Sequence, residues 1–179
     1  MPNHTDNRVI LSHADSQQID MIYNIMNTED TPLCQTLIPM DEKLLEISGI
    51  SDNYEVQGWY EWRLDNWGTK WDVYETHCTR IDANTLNLTF YTAWSPPIPV
   101  FDKLVDMGFE VTARYLDEGW GYIGEYTGGF AHKMESGDWH TTDVESVVTE
   151  YPELDYEFNI SECIAEYALY TEENNDAVA

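Results

Sequence analysis

Asn66-Trp67-Gly68-Thr69-Lys70-Trp71-Asp72 opens, and Thr92-Ala93-Trp94-Ser95-Pro96-Pro97-Ile98-Pro99 closes, the stretch whose reading decides the fold. Between them, Asp72 to Asp82 is rich in strand formers (Val73, Tyr74, Thr76, Cys78, Thr79, Ile81), although its alternation is imperfect. Asp82-Ala83-Asn84 supplies turn chemistry. Leu86-Asn87-Leu88-Thr89-Phe90-Tyr91-Thr92 then alternates well, with Leu86, Leu88 and Phe90 on one face. The two segments read as an antiparallel hairpin. Pro96, Pro97 and Pro99 suit the first turn of a following helix, where a missing N–H costs little. Val100, Phe101, Leu104 and Val105 give that helix a buried face ending before Gly108.

Working outward, Arg8-Val9-Ile10-Leu11-Ser12 reads as a first strand and Ala14-Asp15-Ser16 as a helix N-cap. Ile19, Ile22, Tyr23 and Met26 follow at helical spacing. Residues 28–65 read as an irregular insertion of moderate helix content, with a short helix at Gly58 to Arg63. Beyond Gly108, Phe109 to Leu116 alternates as a strand. Asp117-Glu118-Gly119 turns it into Trp120 to Tyr126, and Thr127-Gly128-Gly129 leads to a last strand, Phe130 to Met134. The fold class is α+β. The order is the ferredoxin-like split βαβ plan, an antiparallel sheet with two helices on one face and an added hairpin. Residues 1–134 form that domain, and 135–179 an acidic extension packed on it or extending from it. There, Val144, Val147, Val148 and Tyr151 predict a helix and Leu154 to Ile160 an edge strand. Ser161 to Ile164 predicts the start of another helix, with residues 172–179 frayed.

Charge separates this chain from most domains of its 179 residues: 8 Lys+Arg against 34 Asp+Glu leave a formal net of −26. Such a chain repels nucleic acid and anionic lipid and attracts basic surfaces. Direct binding to DNA is disfavoured because phosphate contacts need Lys and Arg. Halophilic adaptation would spread the charge evenly. Residues 135–179 instead hold 13 acidic residues and no Lys or Arg, half of the net charge. Cys34, Cys78 and Cys163 are odd in number and lack C-x-x-C spacing, which predicts free thiols in a reducing compartment. No apolar run nears the roughly 18 residues of a membrane span, and Met1-Pro2-Asn3-His4 is unlike a secretion signal. A cytoplasmic protein is expected.

With these segments assembled, the sequence resembles the YubB-type ferredoxin-like family of small phage- and plasmid-encoded proteins. The resemblance covers residues 1–130. Its carriers are Met1-Pro2-Asn3-His4 with Asn7-Arg8, Ile38-Pro39-Met40, Asn66-Trp67-Gly68-Thr69-Lys70-Trp71, Phe90-Tyr91-Thr92-Ala93-Trp94-Ser95-Pro96-Pro97, and Tyr115-Leu116-Asp117-Glu118-Gly119 with Gly124. It implies a ferredoxin-like fold and a mobile-element origin, and carries no reaction with it.

No residue set names a chemistry. His4, His13, His77, His132 and His140 lack the spacing of a zinc helix, and His77-Cys78 point to opposite faces of a strand. No metal or cofactor is expected. Ser95 precedes proline, outside any G-x-S-x-G, and no phosphate-binding glycine motif occurs. Two features remain. Trp67, Trp71 and Trp94, with Asn66 and Lys70, are expected to converge where two strands end. They serve either as core between sheet and insertion or as an aromatic pocket with Lys70 at its lip. Asp143, Glu145, Glu150, Glu153, Asp155, Glu157, Glu162 and Glu166 recur within a segment hydrophobic enough to fold. They are either a solvated tail or a carboxylate strip of nucleic-acid-like charge density.

The leading expectation is a non-enzymatic protein whose acidic strip occupies the nucleic-acid site of a basic host protein. The host would be a nucleic-acid-handling or defence component of the restriction or CRISPR type, so that the chain acts as a DNA mimic. The alternatives are a ligand-binding protein or enzyme using the tryptophan pocket, and an assembly protein that self-associates into a homo-oligomer through a sheet edge.

Overall fold

A computed structural model describes residues 3–28, 32–46, 58–135 and 144–176. The first strand, β1 (His4–Ser12), is nine residues long, starting four residues earlier than its apolar run. Its buried positions alternate strictly: Thr5, Asn7, Val9 and Leu11 face inward. Helix α1 (Ser16–Asn27) is capped by Asp15, whose carboxylate accepts the Gln17 amide at 2.9 Å. It buries Ile19, Ile22, Ile25 and Met26. The insertion holds α2 (Leu33–Leu37), a 3-10 turn at Glu42–Glu46, and α3 (Trp59–Trp67).

Strands β2 (Tyr74–Asp82) and β3 (Thr85–Ala93) form the expected hairpin, with Leu86, Leu88 and Phe90 buried together. Helix α4 (Ile98–Asp106) follows the prolines and buries Val100, Phe101 and Leu104. Then come β4 (Glu110–Asp117), β5 (Tyr122–Thr127) and β6 (Phe130–Glu135). The sheet order is β2-β3-β1-β4-β5-β6, antiparallel at every pairing. The four strands β2-β3-β1-β4 with α1 and α4 make the ferredoxin-like unit, and the β5–β6 hairpin widens it.

The main core lies between the sheet and its two helices. Val9, Leu11, Leu88, Val111 and Ala113 line the sheet side and meet Ile19, Ile22, Phe101 and Leu104. Beyond β6 the structure departs from the sequence reading. Helices α5 (Val144–Glu150), α6 (Pro152–Phe158) and α7 (Ile160–Asp176) follow, so the edge strand expected at Leu154 to Ile160 does not exist. The physical reason is a shared pattern. Leu154 and Phe158 are both four apart, as a helix needs, and an even number apart, as a strand needs. Tyr156 decides between them: it is 81% exposed while Leu154 and Phe158 are buried. Pro152 in the first turn also favours the helix.

Three tyrosines stiffen the sheet. Burial pushes the Tyr115 phenol up to about 12. It moves Tyr122 the same way, and Tyr126 too, where a hydrogen bond to Asp102 adds to the effect. An unfolded tyrosine ionises near pH 10, so the native state holds these protons longer. Their contribution is therefore complete below pH 10 and is lost as pH rises from there towards 12. The urea midpoint should decline over that window, and Tyr115→Phe should flatten part of the decline. Trp67, 1% exposed, is core. Trp67→Ala should lower stability by about 3–5 kcal/mol in urea unfolding, whereas Trp94→Ala, at a position 39% exposed, should cost clearly less, because less apolar surface is removed from water there.

Candidate functional site

The acidic segment is a helical layer on the second face of the sheet. Leu154, Phe158, Ile160 and Ile164 gather with Ile123, and Leu116, Trp120 and Tyr151 pack around them. Even-numbered residues of β1 and β4 point to this side, and two are arginines. Arg8 lies 4.7 Å from the centre of the Phe158 ring and donates to the Glu157 carbonyl, with the Glu157 carboxylate at 3.7 Å. Arg114 reaches Glu153 at 3.4 Å and Glu157 at 3.5 Å. Asn159, in the left-handed region at φ 51°, joins α6 to α7. Asp155 caps the second helix, accepting the Ser161 amide at 2.7 Å and its hydroxyl at 3.1 Å.

The eight carboxylates singled out in the sequence thus have different fates. Glu153 and Glu157 pair with the sheet's arginines, and Asp155 caps a helix. Glu145, Glu150, Glu162 and Glu166 are exposed, and Asp143 lies outside the described residues. Around them stand aromatic side chains that the charge pattern concealed. Tyr156, Tyr167 and Tyr170 are 81%, 41% and 64% exposed, with Leu169 beside them in the chain.

The tryptophan motif resolves into two places. Trp67 ends α3 and donates its indole N–H to the Ile38 carbonyl at 2.8 Å. Gly68 then takes φ 76°; a Cβ there would meet Pro99 at 2.8 Å. Asn66 bonds back to the Trp62 carbonyl at 2.8 Å, a local contact within the helix. Lys70 sets its ammonium 4.8 Å from both the Trp71 and the Trp94 ring centres. Trp67 and Trp71 line a cavity of about 410 Å³ with Arg63, Asp72, Met40 and Leu45; Trp94 and Asn66 do not line it. The expected three-tryptophan convergence is therefore a two-tryptophan wall, with Trp94 outside the cavity, packed on Tyr60 and sharing Lys70 with Trp71.

A second concavity, about 380 Å³, opens on the sheet's second face beside the helical layer. It is lined by His4, Asp6, Glu75, Tyr91, Leu116 and Glu118. The Glu118 carboxylate accepts the His4 amide at 2.8 Å, and the Tyr74 hydroxyl meets the His4 ring at 3.0 Å. Glu75 has φ 49° at a register shift of β2. Arg8, through its 3.3 Å contact with Asp6, marks the border between this cleft and α6. Alternation in β1, once extended back to His4, would have put His4, Asp6 and Arg8 on one face.

Among the described residues no cluster of three or more His, Cys, Asp or Glu side chains is placed to hold a metal ion. Among the same residues no helix is long and apolar enough to cross a membrane. Cys34 is buried, and burial with Asp72 nearby pushes its thiol up, which suits a packing role better than a nucleophile.

Fold and site together define a ferredoxin-like α+β domain carrying an acidic helical layer. A family model described as the ferredoxin-like domain in Api92-like protein matches residues 73–163, and the chain belongs to this family. The match runs from β2 into α7, so the acidic layer lies largely inside the family pattern rather than beyond it. No curated protein matches the chain. Among solved structures, protein api92 from Yersinia pseudotuberculosis is similar, with a TM-score of 0.52 and 11% identity. The likeness covers 76% of this chain and 99% of that one, and at such identity it speaks for the fold.

The arginine contacts make a testable claim about the layer. Arg114→Met should loosen α6 and raise protease cleavage within 144–176. The global urea midpoint should move by only about 1 kcal/mol, as partly exposed ion pairs do. Unchanged cleavage would mean that the apolar contacts alone dock the layer.

Proposed function

We propose that the chain is a non-enzymatic binding protein of YubB type, carried by a phage or plasmid. Its acidic face occupies the nucleic-acid-binding site of a basic host protein, a defence component being the kind of target that such charge suits. The observation that carries this reading is the segregation of charge: residues 135–179 have 13 acidic residues and no Lys or Arg, and residues 144–176 among them form helices. Glu162 and Glu166 are one helical turn apart, about 6 Å at 1.5 Å per residue. Two phosphate steps along one DNA strand advance about 6.8 Å. Tyr156, Tyr167 and Tyr170 supply exposed aromatic anchors of the kind that dominate protein interfaces. The cleft at His4, Asp6, Glu75 and Glu118 adds a concave acidic surface able to accept a lysine or arginine side chain.

Affinity capture from bacterial lysate at low and moderate salt names the target, and displacement of labelled duplex DNA from it tests mimicry. The informative variant is Glu150→Gln with Glu162→Gln and Glu166→Gln. These side chains are exposed, whereas neutralising Glu153, Asp155 or Glu157 would disturb the layer itself. Displacement should weaken at least tenfold and lose part of its salt dependence. Full-strength binding by the triple variant, or a target that keeps its DNA, would refute the reading.

A further inference from the structure

The cavity between the insertion and the start of β2 contains an unusual cation. Arg63, on α3, is flanked by two indoles: its guanidinium carbon lies 5.1 Å from the Trp59 ring centre and 4.7 Å from that of Trp67. Its Nε–H is buried and meets no acceptor among the described residues. Among the same residues Nη1 reaches the Lys70 carbonyl alone, at the long distance of 3.5 Å. A guanidinium has five N–H donors in a rigid plane, so this one is poorly satisfied by the described residues.

The nearby carboxylate is already engaged elsewhere. Asp72 accepts the backbone N–H groups of Cys34 at 2.9 Å, Gln35 at 2.8 Å and Val73 at 2.9 Å, which fixes it at the start of α2. It offsets some of the Arg63 charge across space without satisfying its donors. Of the remaining lining, Pro32, Met40, Leu45, Trp67 and Trp71 are apolar, Gln35 is polar and uncharged, and Glu42 is an exposed carboxylate. At about 410 Å³ the cavity falls within the range of small-molecule sites.

We infer that this cavity is a binding site for a small planar aromatic carboxylate, its acid group on Arg63 and its ring against Trp71, Met40 and Leu45. A carboxylate supplies the two in-plane acceptors that match a guanidinium edge. An aromatic body fills walls made of indole, thioether and isobutyl groups. The indoles hold the guanidinium plane in place beforehand, so little side-chain freedom is lost on binding. The site shares no residue with the acidic layer, so it stands or falls independently of the proposed mimicry.

The test titrates the full chain with 2-naphthoate and, in parallel, with the neutral 2-naphthylmethanol, following indole N–H resonances by NMR. Naphthoate should bind at least tenfold more tightly and perturb the Trp67 and Trp71 signals. Arg63→Met, which keeps an unbranched apolar stem over the indoles, should abolish that preference. Should this variant fail to fold, Leu45→Asp provides the second probe, because Leu45 is an exposed wall residue. The introduced carboxylate should weaken naphthoate at least tenfold more than it weakens the alcohol, which loses only the apolar contact. Equal binding of acid and alcohol, absence of naphthoate binding up to millimolar concentration, or indifference to Leu45→Asp would each overturn the assignment.

Discussion

One buried hydroxyl joins the two halves of the tryptophan-bearing stretch. Thr69 Oγ1 accepts the Ala93 amide at 3.0 Å and donates to the Ala93 carbonyl at 3.1 Å, with Thr69 fully buried. It thereby continues the hydrogen bonding of β3 one step past its end. Ser95 adds a bond from its hydroxyl to the Gly68 carbonyl, and Gly68 lies against Pro99 where any side chain would collide. These contacts fix where α3 stops and where α4 starts. The insertion, the hairpin and the second core helix therefore meet at one point, and the cavity beside Arg63 inherits its shape from that junction. A valine at 69 would fill the same space and leave the Ala93 groups unpaired, the costly side of hydrogen-bond energetics.

The sheet has two faces with different chemistry. One is sealed by α1 and α4 over a dry core. The other is shared between the acidic layer, seated over β4 and β5, and an open cleft over β1, β2 and β3. Hydrophobic contact at Leu154, Phe158 and Ile164 seats the layer, and Arg8 and Arg114 set its orientation. The partly exposed ion pairs contribute little energy, but they determine which carboxylates still face outward.

Much of the fold was legible because its signals were local. The Leu86, Leu88, Phe90 alternation, the Asp15 cap and the prolines before α4 each carry their own physical cause. The C-terminal layer was misread at Leu154 to Ile160, where spacings of four satisfy both periods and only the burial of neighbours decides. The site was less legible than the fold. Counting carboxylates found the acidic segment but could not tell that Glu153 and Glu157 would be drawn to arginines on distant strands of the sheet, Arg114 on β4 and Arg8 on β1. Of the three tryptophans expected to converge, Trp67 and Trp71 share the cavity and Trp94 does not, and Arg63 beside them sits in a stretch read only as a short helix. Its indole contacts did carry a local signal, because Trp59, Arg63 and Trp67 stand four residues apart along one helix face.

Arg8 and Arg114 have a consequence for how any cationic visitor must arrive. Each already fills the place that a visiting guanidinium would take beside Glu157 or Glu153. Capture of these two carboxylates is therefore a swap of one cation for another, with no net gain of charge pairs. A visitor that offers only charge has nothing to win there. A basic partner of the proposed kind that also brought apolar surface to Tyr156 would tip the exchange, and the chain's own arginines would act as a built-in competitor that screens for shape.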